Sequence, residues 1–331
     1  MNFLLSLLLS MATQSANAAV PVIKADGSST VFPITEGVAE EFQKEKKGKV
    51  RVTVGISGTG GGFKKFCRGE TDLQNASRPI SASEIEVCRK AKIKYYEIPV
   101  AYDATVVVVN PNNKWLKEIT VDELKKMWEP AAQGKIKTWN QINPKWPKEE
   151  LKLFGAGADS GTFDYFTQAI VGKEKSSRGD YTASEDDNTL VMGVSTEKNA
   201  LGYLPMAYYE ENQSKLRAVP IVGGKDSPMK MKSVLPSKAT VENGQYYPLS
   251  RPIFIYFSEN SMVRPEVKEF AEFYIKNANT LVPQAKYVAL PKEAYDGGLK
   301  HLTDKKLGTA FGGKSPIGLK IKQLLEMEKS L

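Results

Sequence analysis

The chain has 331 residues, 41% of them hydrophobic, a mean hydropathy of −0.35 and a formal net charge of +8. Its length predicts about two domains of ordinary globular composition, and no internal apolar run is long enough to span a bilayer. Two cysteines and a single histidine exclude a Cys/His zinc cluster and leave few routes to a histidine-based triad.

The first element is MNFLLSLLLSMATQSANAAV. Its apolar stretch from Phe3 to Leu9 and the small-residue pattern Ala16-Asn17-Ala18 predict a signal peptide over residues 1–18, cut after Ala18. Nothing charged lies in that segment, so the mature protein keeps the whole positive charge. The lysines are spread along the chain, which predicts a solvated surface rather than a nucleic-acid groove. Export would place Cys67 and Cys88 in an oxidising compartment, where a pair of cysteines is expected to form a disulfide.

From Val20 onward apolar strands alternate with amphipathic helices. Val22 to Lys24 reads as a strand, and Ile34, Val38 and Phe42 mark one face of the helix that follows. Val50 to Ile56 is strand-like and leads into SGTGGGFKKF, a glycine-rich loop opening a helix. Asp72 to Ala76 precedes the loop SRPISAS, and Glu84 to Lys90 is helical. Tyr95 to Ala101 and Thr105 to Asn110 are two further apolar runs. Asn112 to Pro147 is rich in Trp, Pro and Gly, with one helix near Val121 to Trp128. Leu151 to Phe154 is a short strand before GAGADSGTFDYFT, in which Phe163, Phe166 and Ile170 define a helix face. After the polar loop SSRGDYTASEDDN comes a helix over Thr189 to Glu197, then strands at Ala200 to Leu204 and Leu216 to Pro220. Lys225 to Asn243 is predicted to be irregular. RPIFIYFS, from Arg251, is a strong strand. Pro265 to Asn277 and Ile321 to Leu325 are helices. This order predicts an α/β fold with largely parallel sheets, and the absence of a linear boundary suggests a chain that crosses between two lobes more than once.

Four strand-to-helix loops share one chemistry: Gly27-Ser28-Ser29-Thr30, Ser57-Gly58-Thr59-Gly60, Ala76-Ser77-Arg78-Pro79 and Asp159-Ser160-Gly161-Thr162. In open α/β sheets such loops gather at the carboxyl edge of the strands. Each supplies hydroxyls, glycines or a guanidinium beside helix N-terminal amides, the groups that hold a tetrahedral oxyanion. For any single loop, ordinary helix capping is the stronger explanation; four in one chain are harder to dismiss. None matches the nucleotide P-loop, the dinucleotide fingerprint or the G-x-S-x-G elbow.

With these motifs in order (GSSTVFP, GISGTGGGFKKF, NASRPI and DSGTFDYFTQAIVGK, then YDATVVVVNPNN, WEPAAQGKIKTWNQI, DYTASEDDNTLVMGV and ALGYLPMAYYEEN), the chain resembles the periplasmic phosphate-binding proteins of ABC phosphate uptake, most closely the cyanobacterial members. The resemblance implies a type II-like binding-protein fold of two α/β lobes joined by crossover strands, with lobe I over residues 19–100 and 252–331 and lobe II over residues 101–251. It implies inorganic phosphate bound in the cleft without chemistry, no cofactor or metal, a monomer, and delivery to a permease in the inner membrane. Its anion contacts carry over to Ser29, Thr30 and Val31, to Ser57 and Thr59, to Ser77 and Arg78, and to Ser160, Gly161 and Thr162. The best-known members have an Asp where this chain has Arg78, and an Arg where it has Ala156. Arg78 is therefore the expected cation, and a different carboxylate must accept the proton that phosphate carries and sulfate lacks. Asp103 is ranked first for that role, then Asp159, then Asp164. Other readings are a receptor for sulfate or molybdate, and a secreted phosphatase using Asp186, Asp187 and Asp159 around a metal.

Overall fold

The computed structural model describes residues 19–331; the expected signal peptide lies outside the described residues. The elements run β1 (Val22–Gly27), α1 (Phe32–Glu45), β2 (Arg51–Val54), α2 (Gly58–Phe66), β3 (Leu73–Ala76), α3 (Ala82–Lys90) and β4 (Tyr95–Val109). Next come β5 (Ile119–Thr120), α4 (Val121–Trp128), β6 (Lys152–Ala156), α5 (Gly161–Phe166), β7 (Thr182–Ser184), α6 (Asp187–Thr196), β8 (Ala200–Pro205) and α7 (Met206–Glu211). The chain ends with β9 (Arg217–Ala218), β10 (Ile221–Val222), β11 (Ser233–Val234), α8 (Lys238–Glu242), β12 (Ser250–Ser258), α9 (Pro265–Gln284), β13 (Val288–Ala289), α10 (Lys292–Asp304) and α11 (Ile321–Lys329).

Two α/β lobes share one long strand. The strand order is β2-β1-β3-β12-β4-β8-β6-β7, with β13 and β9 also on β4, and β11-β10-β5 forms a small separate sheet. Pairs β1–β2, β1–β3, β6–β7 and β6–β8 are parallel, whereas β12 and β8 run antiparallel to β4. Both sheets are therefore mixed, because the crossover strands enter them in the opposite sense. The two apolar runs expected at Tyr95 to Ala101 and Thr105 to Asn110 are one strand of 15 residues, buried throughout. Its first part pairs with β12 up to Ala104, and its last part pairs with β8 from Thr105 onward. Asp103 thus lies within a continuous strand at the point where the chain passes between lobes, paired with Arg251 on β12.

Local chemistry explains the other departures from the sequence reading. The glycine-rich loop is itself helix from Gly58 onward. A Cβ added at Gly62 would lie 2.6 Å from the Gly27 Cα and closer still to the Gln74 side chain, so only glycine lets α2 pack this tightly on β1 and β3. α9 runs to Gln284, past the expected end at Asn277, because Ala278 and Val282 continue its buried face. The segment expected to be irregular holds β11 and the short α8, the latter opened by a Ser237–Thr240 capping box. Cys67 and Cys88 form the expected disulfide, tying the end of α2 to α3. Among the described residues no helix is long and apolar enough to cross a membrane.

Candidate functional site

Helix capping and anion binding compete for the same hydroxyls, and the structure separates them. α1 begins at Val31, which caps without a side-chain hydrogen bond, so Ser29 and Thr30 are not its caps. α2 begins at Ser57, which also makes no side-chain cap; its hydroxyl goes to the Asp26 carboxylate. α3 is capped by Ser81 and Glu84 in a capping box, four residues beyond Ser77. Only Ser160 caps its own helix, its Oγ accepting the Thr162 amide at 3.1 Å. The first-turn amides of these helices have no intrahelical acceptor.

The loops converge. Thr30 Oγ1 lies 3.1 Å from Thr162 Oγ1, and Thr59 Oγ1 lies 3.2 Å from Ser77 Oγ. The Gly60 amide donates to the Asp159 carbonyl at 2.8 Å, closing α2 against the Ser160 loop. A Cβ on Gly161 would stand 2.5 Å from both Ser77 Oγ and Thr59 Oγ1, so a side chain here would push the loops apart. Ser29, Thr30, Val31, Thr59, Ser77, Ser160 and Thr162 are all buried, while Ser57 is half-buried.

Three of these hydroxyls have an acceptor position already filled. Thr162 Oγ1 accepts from Arg251 Nη2 at 2.7 Å, Thr59 Oγ1 from the Ser77 amide at 3.1 Å, and Ser160 Oγ from the Thr162 amide. A hydroxyl has a single proton to give. With an N–H lodged on each oxygen, the proton is turned away from that donor; the Thr30–Thr162 and Thr59–Ser77 contacts each use one proton of their pair and leave one to give. The junction is therefore a cluster of oriented O–H donors, the complement of an oxyanion.

Two buried arginines flank the cluster. Arg78, the cation expected from sequence, has other partners: Nε donates to Asp164 at 2.7 Å, Nη1 and Nη2 to Glu84 at 2.8 and 2.9 Å, and Nη1 also to the Pro79 carbonyl. Burial pulls this guanidinium down, but Glu84 and Asp164 outweigh it and hold its pKa above the ordinary value. Four of its five N–H groups are thus engaged, by Asp164, Glu84 and the Pro79 carbonyl. Arg251, the first charged residue of β12, holds the position next to the hydroxyls. Besides Thr162, it donates to the Gly161 carbonyl at 2.9 Å and to Asp103 at 3.1 and 3.3 Å, and its plane lies over Tyr165. Arg251 and Asp103 are direct cross-strand partners, which places both side chains on one face of the sheet.

The expected carboxylates fall in different places. Asp103 is buried, and both its oxygens are occupied, one by Arg251 and one by the Met206 amide at 3.3 Å. Burial pushes its carboxyl up, against the pull of Arg251. Asp159 has its side chain 45% exposed and paired with Lys64 of α2 at 2.9 Å, and Ser160 rather than Asp159 caps α5. Asp164 is turned toward Arg78, and burial pushes it up to about 6. Asp187, the first residue of α6, is buried beside Ser29, Asp103 and Arg251. Tyr208 donates to the Ser29 carbonyl at 3.2 Å and fixes that loop from lobe II. Sequence reasoning did not single out Arg251 and Tyr208. A usable signal existed for Arg251: RPIFIYFS carries one charge in an otherwise apolar strand, and so does VAYDATVV.

The chain is similar to several known proteins. A family model described as a PBP superfamily domain matches residues 12–278. Protein SphX of Synechococcus elongatus is 48% identical, covering 95% of this chain and 91% of that protein. The phosphate-binding protein PstS of Staphylococcus saprophyticus is 38% identical, covering 82% of each. Among solved structures, a possible phosphate binding protein from Planctomyces limnophilus is 46% identical with a TM-score of 0.63, covering 86% of this chain and 98% of that one. An ABC-type phosphate transport receptor from Vibrio cholerae shares the fold at 20% identity and a TM-score of 0.60, covering 81% of this chain and 99% of that one. The chain belongs to the PBP superfamily, in the family of SphX and the PstS phosphate-binding proteins.

Proposed function

We propose that this protein is an extracytoplasmic receptor that binds inorganic phosphate where the four loops meet and delivers it to an ABC permease. The observation that carries the reading is the set of buried hydroxyls of Thr30, Thr162, Thr59, Ser77 and Ser160, whose N–H donors and mutual contacts leave one proton per pair, and that of Ser160, to give. The amides around Val31 and Gly161 extend the same donor surface. Relatives bearing the name phosphate-binding protein support the choice of ligand. Arg251 is the cation of the site in this reading, and Arg78 is a structural residue.

The lobes are residues 19–100 with 252–331, and residues 101–251. Their hinge is the pair of crossover strands β4 and β12 near Asp103 and Arg251. Contacts such as Thr30 to Thr162 and Gly60 to Asp159 are those of the closed form, and release to the permease requires them to part. The protein acts by binding alone: the junction offers hydrogen-bond donors, and the single histidine, His301, lies far along the chain in α10.

Calorimetric titration of the mature protein with phosphate, sulfate and molybdate tests the proposal. One phosphate should bind per chain, more tightly than either other anion. Tighter binding of sulfate or molybdate would reassign the ligand.

A further inference from the structure

A buried polar atom without a hydrogen bond is costly, and where several face one space they describe what would fill it. Three such atoms fall on two residues: Nδ1 of His301 on α10 and both carboxylate oxygens of Glu328 on α11. His301 is 9% exposed and Glu328 7%. Both line a cavity of 270 Å³ between the two helices, and none of its lining residues belongs to the four loops.

The rest of the wall is mostly apolar, from Pro99, Ala294, Gly297 and Leu325. Gly297 lies inside α10, where glycine is unfavourable, and a Cβ there would meet nothing within 4 Å. Packing does not require this glycine, and a larger side chain would take up space at the cavity. A cavity of about 150 Å³ holds a benzene ring. The 270 Å³ here suits a ring with a short arm, about ten heavy atoms.

The polar atoms set the chemistry of the arm. His301 Nδ1 and Glu328 Oε2 stand 3.9 Å apart, too far to bond each other, yet a single nitrogen can lie about 2.9 Å from both. A group with several N–H donors satisfies all three atoms, whereas an anion would face the carboxylate oxygens. A metal ion finds too few ligands, since the described residues contain no group of three or more His, Cys, Asp or Glu able to hold one. Going beyond the phosphate reading and independent of it, we propose that this cavity binds a small organic ammonium ion, its N–H groups on Glu328 and His301 and its apolar part against Pro99, Ala294 and Leu325.

The charged and titratable groups around Glu328 are Glu97 on β4, Glu293, Lys300, His301 and Asp304 on α10, Lys306 just after it, and Lys329 on α11. Lys300 is paired with Asp304. Glu97 has both oxygens engaged, one by the Tyr256 hydroxyl at 2.7 Å and one by the Ala310 amide at 2.9 Å, so it acts on Glu328 through charge alone. Burial, with Glu97 nearby, pushes Glu328 up to about 9, and burial pulls His301 down. Near neutral pH the cavity therefore holds a protonated carboxyl and a neutral imidazole. An ammonium that pairs with Glu328 ionises it, and the carboxyl proton leaves to solvent. Binding should then tighten by about tenfold per pH unit between about pH 7 and 8.

The probe is 2-phenylethylammonium, with 3-phenylpropionate as the anion of matching shape. The chain has one histidine, so a single imidazole NMR signal reports on the cavity. One 2-phenylethylammonium should bind per chain and shift that signal, and calorimetry in two buffers of different ionisation enthalpy should show about one proton released at neutral pH. Glu328→Gln keeps the shape and removes the charge, and should weaken binding by about 30-fold or more while phosphate affinity stays as in the parent. Should that variant fold poorly, Gly297→Leu decides, because it fills space at the cavity, leaves Glu328 in place and should also abolish binding. A His301 signal unmoved at about 10 mM 2-phenylethylammonium overturns the proposal. So does 3-phenylpropionate binding as tightly, or affinity within about threefold of the parent in either folded variant.

Discussion

Arg78 and Arg251 are both almost fully buried arginines beside the same cluster of hydroxyls, yet their surroundings differ in kind. Arg78 faces two carboxylates and a carbonyl, and its positive charge is more than matched. Arg251 faces one carboxylate, the Gly161 carbonyl and a threonine hydroxyl, and through that hydroxyl it acts on the junction. Proximity to a motif does not make a cation a ligand. Each guanidinium has four of its five N–H groups engaged, so the difference lies in charge balance, two carboxylates against one, and in the Thr162 hydroxyl that only Arg251 touches.

Removing each charge in turn should break the comparison most visibly. Arg251→Met is expected to weaken phosphate binding by about 30-fold to a few thousand-fold, the range for truncating one partner of a buried hydrogen-bonded charge pair. Combining it with Asp103→Asn removes the orphaned carboxylate and should restore stability but not affinity; calorimetry and thermal unfolding separate the two. Arg78→Met should show the reverse pattern. It leaves Asp164 buried without its partner, a loss of about 3–5 kcal/mol of stability, while Glu84 keeps its Ser81 hydrogen bonds. The protein that remains folded should keep phosphate affinity within about threefold, since the lost contacts are not to the anion. Affinity lost in step with the Arg251 variant would return Arg78 to the site.

The disulfide sharpens the same contrast, because Cys88 lies on α3, the helix that carries Glu84 to Arg78. Replacing both cysteines by serine should cost about 3 kcal/mol for a loop of this length, on the chain-entropy account. Chemical denaturation should register that loss, and phosphate binding should survive it.

A last prediction concerns a buried carboxyl group that makes no hydrogen bond and has the His301 imidazole 3.9 Å away. Neither carboxylate oxygen of Glu328 has a hydrogen bond, and burial, with Glu97 nearby, pushes the group from 4.5 up to about 9. The unfolded chain ionises at the ordinary value while the folded protein holds its proton, so stability should drain away as pH rises from 4.5 toward about 9. Glu328→Gln should flatten that decline without altering stability at the acid end, as thermal unfolding across pH would record. An unchanged slope would mean that Glu328 is solvated or paired in solution.

Much of this was legible in the sequence. The alternation of strands and helices announced the α/β lobes, and the cysteine pair announced its bridge. The four loops announced a cluster of donors, and they do meet. Capping could not be judged from sequence, since Thr30 and Ser160 have the same residue chemistry and only one neighbours a helix start that uses it. The cation was hidden because Arg251 is 90 positions from Gly161 along the chain and reaches it only through the β4–β12 register.

The most direct test of the account is to locate the anion. In crystals of the mature protein grown with arsenate, a tetrahedral isostere of phosphate with its own anomalous signal, the arsenic peak should lie within reach of the Thr30, Thr59, Ser160 and Thr162 hydroxyls. Arg251 should lie beside it, and Arg78 should remain on Glu84 and Asp164. A peak seated on the Arg78 guanidinium, or outside the four-loop junction, would contradict it.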